Sequence, residues 1–377
     1  MGNAWTVIPV IGNLLISSSS YSFNNFQYAS LGFVLLAAAI IFSWVSGLLG
    51  YKIGMKKGIL IGLLFFFFAN LLFSLANFRT NNEAFWILLI GEGLLGISIG
   101  GLLASVTSYI VFLVPNKTPM VLTGVYFCVN FGSFSYPILF NLFSSGKFWW
   151  HLTILQAVLS LLLVVVGWKF LPDIRNPNPL PLHTFREAFR HLSFRFWIFF
   201  AVIIGFSITE NTFDSWVTIF LHQVKDLSIS KANFGLSSYW ATVAIGQVSV
   251  CVLVRWISPR WIYRILPLFL IVGYFGIYYS EGYFYNLLFY IISALGCSAF
   301  FALTMSFVEG EYKVVSEIAS GVMVTAYFLG SALGSLIFGT VLGANVINLK
   351  DLIFLFGFIT VVIFGVNQYL MNKRTAY

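Results

Sequence analysis

Stretches of about twenty residues without a single charge follow one another along most of this chain, as in Gly58–Phe78, GILIGLLFFFFANLLFSLANF. A helix of that length crosses a hydrocarbon core of ~30 Å, and few other structures can use such runs. They are continuously apolar rather than alternating, which argues against a membrane barrel. Only 8% of the residues are charged, whereas a soluble domain carries roughly 25%. The pattern predicts an all-α polytopic membrane protein. Its twelve transmembrane helices are expected near 3–20, 30–50, 58–78, 84–112, 119–144, 149–171, 196–222, 233–255, 261–280, 284–307, 317–343 and 351–371.

A net charge of +8 would suggest a nucleic-acid partner in a soluble chain, but here the distribution of charge carries the information. Of the twenty Lys and Arg, fifteen fall in one alternate set of connections, among them Lys52, Lys56, Lys57, Arg186, Arg190 and Arg260. The other set holds Arg79, Lys147, Lys225, Lys231 and Lys350. The positive-inside rule then puts both termini and the long central loop in the cytoplasm, with the spans in the cytoplasmic (inner) membrane and no nucleic-acid partner. The first basic residue is Lys52, so a cleaved signal peptide is not expected. Cys128, Cys251 and Cys297 lie within apolar spans and read as small buried hydrophobes. No spacing of His, Cys or acids suits a metal, and no cofactor is expected.

The sharpest change in composition is PDIRNPNPLPLHTFREAFRHLSF, Pro172–Phe194, which holds four of the ten prolines and then a basic segment. Phe185, Phe189 and Leu192 recur there at helical spacing among Arg186, Arg190 and His191, as in a short amphipathic helix on the membrane surface. This linker, 172–194, divides the chain into six-helix bundles at 1–171 and 195–377. Traces of an internal repeat join equivalent spans. ASLG at 29–32 matches ANFG at 232–235, Lys52 matches Arg255, and Lys57 matches Arg260, all at an offset of 203; LGIS at 95–98 matches LGCS at 295–298 at an offset of 200. Two pseudo-symmetric halves imply a central cleft. The same offset carries residues 195–202 to positions before Met1, so the first span lacks about two turns that its counterpart has; either the start is misassigned or that helix is short.

Between the second and third spans the chain reads SGLLGYKIGMKKGILIGL, Ser46–Leu63. Three glycines and three lysines within eleven residues give a tight, topology-setting turn between closely approaching helix ends. The segment resembles the signature loop of the major facilitator superfamily, with Gly47, Lys52, Gly54, Lys56 and Lys57 at matching positions. Gly50 stands where that family usually has aspartate, which puts the charge relay attributed to that acid in doubt for this chain. The resemblance covers the whole chain through its twelve spans, central linker and cytoplasmic termini, and it implies two bundles that alternate access to a central site. GSFSYP at 132–137 is a weak echo of the antiporter motif of the fifth helix. TENTFDSW, with a glutamate six residues before a tryptophan in the seventh helix, resembles the fucose-permease-like, sugar-type branch, although Ala104 stands where the fucose permease has its membrane glutamate.

Of twelve acids, Glu92, Glu210 and Asp214 fall within spans. A charged carboxylate near the bilayer centre costs about 2.5 kcal/mol or more, so such groups face protein or water and mark ion or substrate paths. At 100° per residue, Ser207, Glu210, Asn211, Asp214 and Thr218 share roughly 100° of the seventh helix while Trp216 points away. This is the stripe a cleft-lining helix needs, polar groups toward solute and aromatics toward lipid or neighbouring helices. Glu210 and Asp214, one turn apart, are the candidates for proton coupling; Asp214, ~12 Å of helix from His222, could instead reach the outer surface. Ser207 and Asn211, with Asn130 and Tyr126 in the fifth span, Gln247 in the eighth, and Ser320, Tyr327 and Ser331 in the eleventh, read either as solute contacts or as helix–helix hydrogen bonds. Glu92 precedes a small-residue face, Gly93, Gly96, Gly100 and Ala104, suited to close helix packing; near the outer end, it reads as a gate or as an interfacial acid.

These observations point to a secondary transporter rather than an enzyme. His151, His183, His191 and His222 are scattered without metal spacing, and no GxxxxGK[ST] loop offers ATP coupling. The expected partners are a small solute, protons and bilayer lipid, with the chain acting as a monomer. Few basic residues face the cleft, which favours a sugar or other neutral polar solute over anions. Proton-driven efflux of drug-like or siderophore-like compounds and a non-transporting membrane sensor are the alternatives.

Overall fold

The computed structural model describes residues 2–113, 118–143, 148–173, 192–312 and 316–372. The amphipathic helix expected at Phe185 and Phe189 lies outside the described residues, as do the side chains of Lys52, Tyr126 and Ser320. Among the described residues every regular element is a helix: α1 (Gly2–Trp5), α2 (Val7–Ser17), α3 (Asn25–Ile53), α4 (Met55–Ala76), α5 (Asn81–Leu113), α6 (Thr118–Phe143), α7 (Trp150–Phe170), α8 (Phe194–Gln223), α9 (Ile229–Leu253), α10 (Pro259–Tyr279), α11 (Tyr283–Cys297), α12 (Phe300–Glu311), α13 (Ser316–Gly343) and α14 (Leu349–Asn372). Ten helical spans among these residues are long and apolar enough to cross a membrane, and Gly2–Ser17 and Phe127–Phe143 are shorter apolar helices. Helices satisfy their backbone groups internally, the condition for living in hydrocarbon.

Two expected spans are broken. Pro9 explains the first break, between α1 and α2: it has no N–H to give the Trp5 carbonyl, and the ladder restarts with Val10 N–H donating to Thr6 O at 3.1 Å. The tenth span breaks between α11 and α12, where Ala299 has φ −128° and ψ 3°, and no proline marks the place. Tertiary packing holds this break. Ser298 presses on α9 so closely that a Cβ on Gly246 would lie 2.6 Å from it. Phe300 is fixed between the rings of Phe206 at 4.6 Å and Tyr263 at 4.9 Å.

The turn between α3 and α4 is shorter than its sequence suggests. Gly54 alone leaves the helix, at φ 90° and ψ 149°, a conformation that costs glycine nothing and any other residue a clash. Lys56 Nζ then donates to the Trp168 carbonyl at 2.7 Å, in the last turn of α7, where the helix dipole favours a cation. Lys57 is exposed, and Gly47 and Gly50 lie within α3.

The chain divides into two compact units, Met1–Pro179 and Leu180–Tyr377. In the first, α1 packs on α6, α3 on α5, and α4 on both α5 and α7. In the second, α8 packs on α13, α9 on α11, and α10 on both α11 and α14. Counted as spans, the pairs 1–5, 2–4, 3–4 and 3–6 recur as 7–11, 8–10, 9–10 and 9–12, so each unit repeats the packing plan of the other. Lipid tails are as apolar as the helices, so contact quality, not water expulsion, drives this association. Glycines supply that contact: a Cβ on Gly96 or Gly100 of α5 would overlap the Leu35 or Ala39 carbonyl of α3. In the second unit Gly330 and Gly334 of α13 play the same part against Ile204, Ser207 and Thr212 of α8. On the outside, α7 exposes Leu155, Leu159, Leu162 and Val166 at helical spacing, a face suited to lipid.

Candidate functional site

The candidate site is built on α8. Between Phe206 and Leu221 every residue except Ile208 and Ser215 is buried, so this helix is enclosed on all its faces. The expectation that its aromatics turn toward lipid or neighbours resolves in favour of neighbours, with Phe206, Phe213, Trp216 and Phe220 all buried. The polar residues are equally enclosed, Glu210 at 8%, Asn211 at 7% and Asp214 at 2% exposure. The foot of α8 is anchored by Arg195, whose Nε lies 3.0 Å from Glu311 Oε2 and whose Nη2 donates to the Leu370 carbonyl at 2.8 Å. The Nε contact is Coulombic, without hydrogen-bond alignment. Ser193 and Tyr312 share a further hydroxyl hydrogen bond at 2.5 Å, tying α8 to the end of α12.

Higher on α8, Tyr327 of α13 donates its hydroxyl to Glu210 Oε2 at 3.0 Å. The Phe301 ring of α12 backs Tyr327 at 4.9 Å between centroids. Tyr239, Tyr274 and Cys297 lie within electrostatic reach of Glu210, and Tyr290 within reach of Asp214. Trp240 stands beside Asp214, and Asn211 beside Tyr327, each just short of hydrogen-bond geometry. Stacking fixes the rings: Tyr239 lies parallel to Tyr290 at 4.9 Å, and Phe213 meets Tyr274 and Tyr290 edge-on at 5.0 and 5.2 Å. Five helices, α8, α9, α10, α11 and α13, thus bring polar atoms to one place within the second unit.

Asn211 Nδ2, Asp214 Oδ1, Trp240 Nε1 and the hydroxyls of Tyr239, Tyr274 and Tyr290 are buried and complete no hydrogen bond of good geometry among the described residues, although Thr209 stands beside Tyr274 and Cys297 beside Tyr239 as Trp240 does beside Asp214. Buried polar groups are nearly always paired, because leaving one bare costs about 1–3 kcal/mol. Six in one cluster leave hydrogen-bonding capacity in one place. Neither Glu210 nor Asp214 has an ion-pair partner among the described residues, so the cluster is acidic, aromatic and free of basic groups.

The other expected residues are placed differently. Ser207 Oγ donates back to the Ile204 carbonyl at 3.1 Å and faces Gly330, at the α8–α13 contact. Ser331 donates to the Tyr327 carbonyl at 2.8 Å, within its own helix. Asn130 is buried on α6 and Gln247 half-buried on α9, both engaged in interactions of their own. Glu92 sits eleven residues inside α5 from Asn81, deeper than the outer-end position read from the sequence, and is 2% exposed. Sequence reasoning missed Tyr239, Trp240, Tyr274 and Tyr290. With 71 aromatic residues in the chain, ring type alone singles out none; depth does better, since Tyr239 lies ten residues inside α9 from Ile229 and Asp214 nine residues inside α8 from Gln223.

A sequence profile of the Major Facilitator Superfamily matches residues 1–335. The chain belongs to that superfamily. Solved structures of the superfamily fold agree over nearly the full length. A mutant of the nucleoside transporter NupG superposes with a TM-score of 0.81 at 15% identity, covering 98% of this chain and 95% of that one. The xylose transporter XylE from E. coli, in a partially occluded inward-open conformation, gives 0.74 at 13% identity, covering 100% and 96%. The superfamily transporter FucP, in the outward conformation, gives 0.64 at 14% identity, covering 99% and 98%. At these identities the likeness is one of fold. Among curated proteins, Sugar transport protein 12 of Arabidopsis thaliana is 32% identical over 149 residues. That match spans 39% of this superfamily member and 27% of the plant protein.

Proposed function

We propose that this superfamily member is a proton-coupled secondary transporter of a small neutral polar solute, working by alternating access, with Glu210 as the proton carrier and Asp214 as its partner. The cluster of buried hydroxyl, indole and amide groups around Glu210, several short of good hydrogen-bond geometry among the described residues, is the observation that carries the reading. Such groups offer both donors and acceptors, as a sugar or nucleoside requires, and the ring faces of Tyr239 and Tyr290 give apolar area for its C–H surfaces. The acid pair without a cation disfavours anionic solutes. An acid lacking a countercharge crosses a hydrocarbon-deep site at lower cost when it carries a proton, which is what links proton movement to the conformational change. The names of the similar proteins, transporters of sugar, xylose and nucleosides, favour the same solute class.

Asn211 and Tyr327 are assigned to solute binding together with Tyr239 and Trp240. The loop around Gly54, Lys56 and Lys57 serves as a gating hinge on the cytoplasmic side, with both termini and the 172–194 connection on that side of the inner membrane, as the charge distribution supports. The test is uptake of labelled pentoses, hexoses and nucleosides by proteoliposomes under an imposed proton gradient. Gradient-dependent accumulation of at least one of these solutes is expected. Solute binding with no gradient-dependent flux across the panel would contradict the reading and favour a sensor.

A further inference from the structure

The first unit holds a carboxyl group that the reading above leaves unused. Glu92 lies eleven residues into α5, about 16 Å along the helix axis at ~1.5 Å per residue. Its neighbours on the same helix face, Phe85, Leu88, Leu95 and Ile99, are all buried and apolar. Around it the helices are in hard contact: a Cβ on Gly91 would come within 2.8 Å of the Phe73 ring of α4, and one on Gly96 would overlap the Leu35 carbonyl of α3. Among the described residues Glu92 makes neither an ion pair nor a hydrogen bond.

No countercharge comes from the helices packed on α5. The charges of α3 and α4 are Lys52, Lys56 and Lys57, at the far ends of those helices. Gly58, next to them, meets Ser105, thirteen residues or roughly 20 Å along α5 from Glu92. Helix α6 carries no acid, Lys, Arg or His. On α5 itself Glu83 is in the first turn and is occupied by Arg79 at 3.5 Å. A bare carboxylate at such a place is costly, by about 2.5–3.5 kcal/mol on insertion scales, and no ion pair or hydrogen bond among the described residues offsets it.

We propose that Glu92 is a proton-binding site of the first unit, distinct from the acid pair on α8, and that it holds its proton in the packing described. Loss of that proton leaves a bare charge between α3 and α4 and so favours a state in which this face of α5 meets water. The inference rests on α5 alone and stands whether or not Glu210 carries a proton.

The experiment is pH-titrated infrared difference spectroscopy on the purified full-length chain in lipid, which reads the carbonyl stretch of protonated carboxylic acids directly. Wild type, Glu92→Gln, Glu92→Asp and a Glu210→Gln/Asp214→Asn double variant are compared. A protonated-carboxyl band near neutral pH that disappears in Glu92→Gln, shifts in Glu92→Asp and persists in the double variant is expected. Protonated-carboxyl bands unchanged by Glu92→Gln, or lost only in the double variant, overturn the proposal. Should Glu92→Gln fail to fold, Glu92→Asp decides: a shifted band supports the site, and an unshifted one refutes it.

Discussion

Glu92 and Glu210 occupy comparable depths of their helices, eleven residues from Asn81 on α5 and thirteen from Gln223 on α8, yet they live in surroundings of different kinds. On the helix face of Glu92 the side chains are apolar, Phe85, Leu88, Leu95 and Ile99, and the helices are pressed together through Gly91, Gly96 and Gly100. Around Glu210 five helices contribute hydroxyl, indole and amide groups, of which Tyr327 is bonded to the acid and most others complete no hydrogen bond of good geometry among the described residues. On the proposed readings the first environment serves a proton alone, and the second serves a proton and a solute together. On the readings proposed above, what separates a lone proton-binding group from a transport site is the polar shell rather than the acid.

That contrast can be broken by substitution, and the largest effect falls on Glu210. Glu210→Gln removes the proton carrier but keeps the shape and a hydrogen-bond acceptor for Tyr327. Gradient-driven accumulation should fall to the level of protein-free vesicles, while exchange of labelled for unlabelled solute continues. Tyr327→Phe removes the bond at 3.0 Å. A hydrogen bond to a charged group is worth about 1.5–3 kcal/mol, so initial gradient-driven flux should drop by roughly tenfold or more, with thermal stability little changed.

Packing substitutions sharpen the comparison through stability instead of transport. Gly330→Leu drives a side chain into Ser207 and the Ile204 carbonyl of α8, and overpacking of this sort costs about 1–3 kcal/mol or more. Lower thermal-unfolding midpoints in detergent should follow, whereas Gly93→Ala, whose new methyl would meet Val34 at an ordinary 3.5 Å, should move them little. The smallest effect belongs to Arg79→Ala. Its pair with Glu83 at 3.5 Å leaves both side chains more than half exposed, and such pairs are worth about 0–1 kcal/mol; unfolding midpoints should be indistinguishable from wild type.

Much of this architecture is legible in the sequence because hydrocarbon imposes a length. The span expected at 149–171 is α7 at Trp150–Phe170, and that at 317–343 is α13 at Ser316–Gly343. The reading failed where the cause lay outside the local pattern. Ala299 leaves the helix through contacts of Ser298 and Phe300 with α9, α8 and α10, which periodicity cannot see. Pro9 is the opposite case, a local signal at the α1–α2 break that continuous hydropathy concealed. For the site, helical projection grouped Glu210, Asn211 and Asp214 on one helix face, since their spacing is a property of α8 alone. The tyrosines of α9, α10 and α11 escaped, because their convergence depends on how four helices pack.

Proton movement at Glu210 is the centre of this account, and a pH-indicator dye trapped outside proteoliposomes measures it most directly. Adding solute to wild-type vesicles with no imposed gradient should raise the external pH as protons enter with it. Glu210→Gln vesicles should show no pH change while still exchanging solute. A solute-induced pH rise of wild-type size in Glu210→Gln would contradict the assignment of Glu210 as the proton carrier.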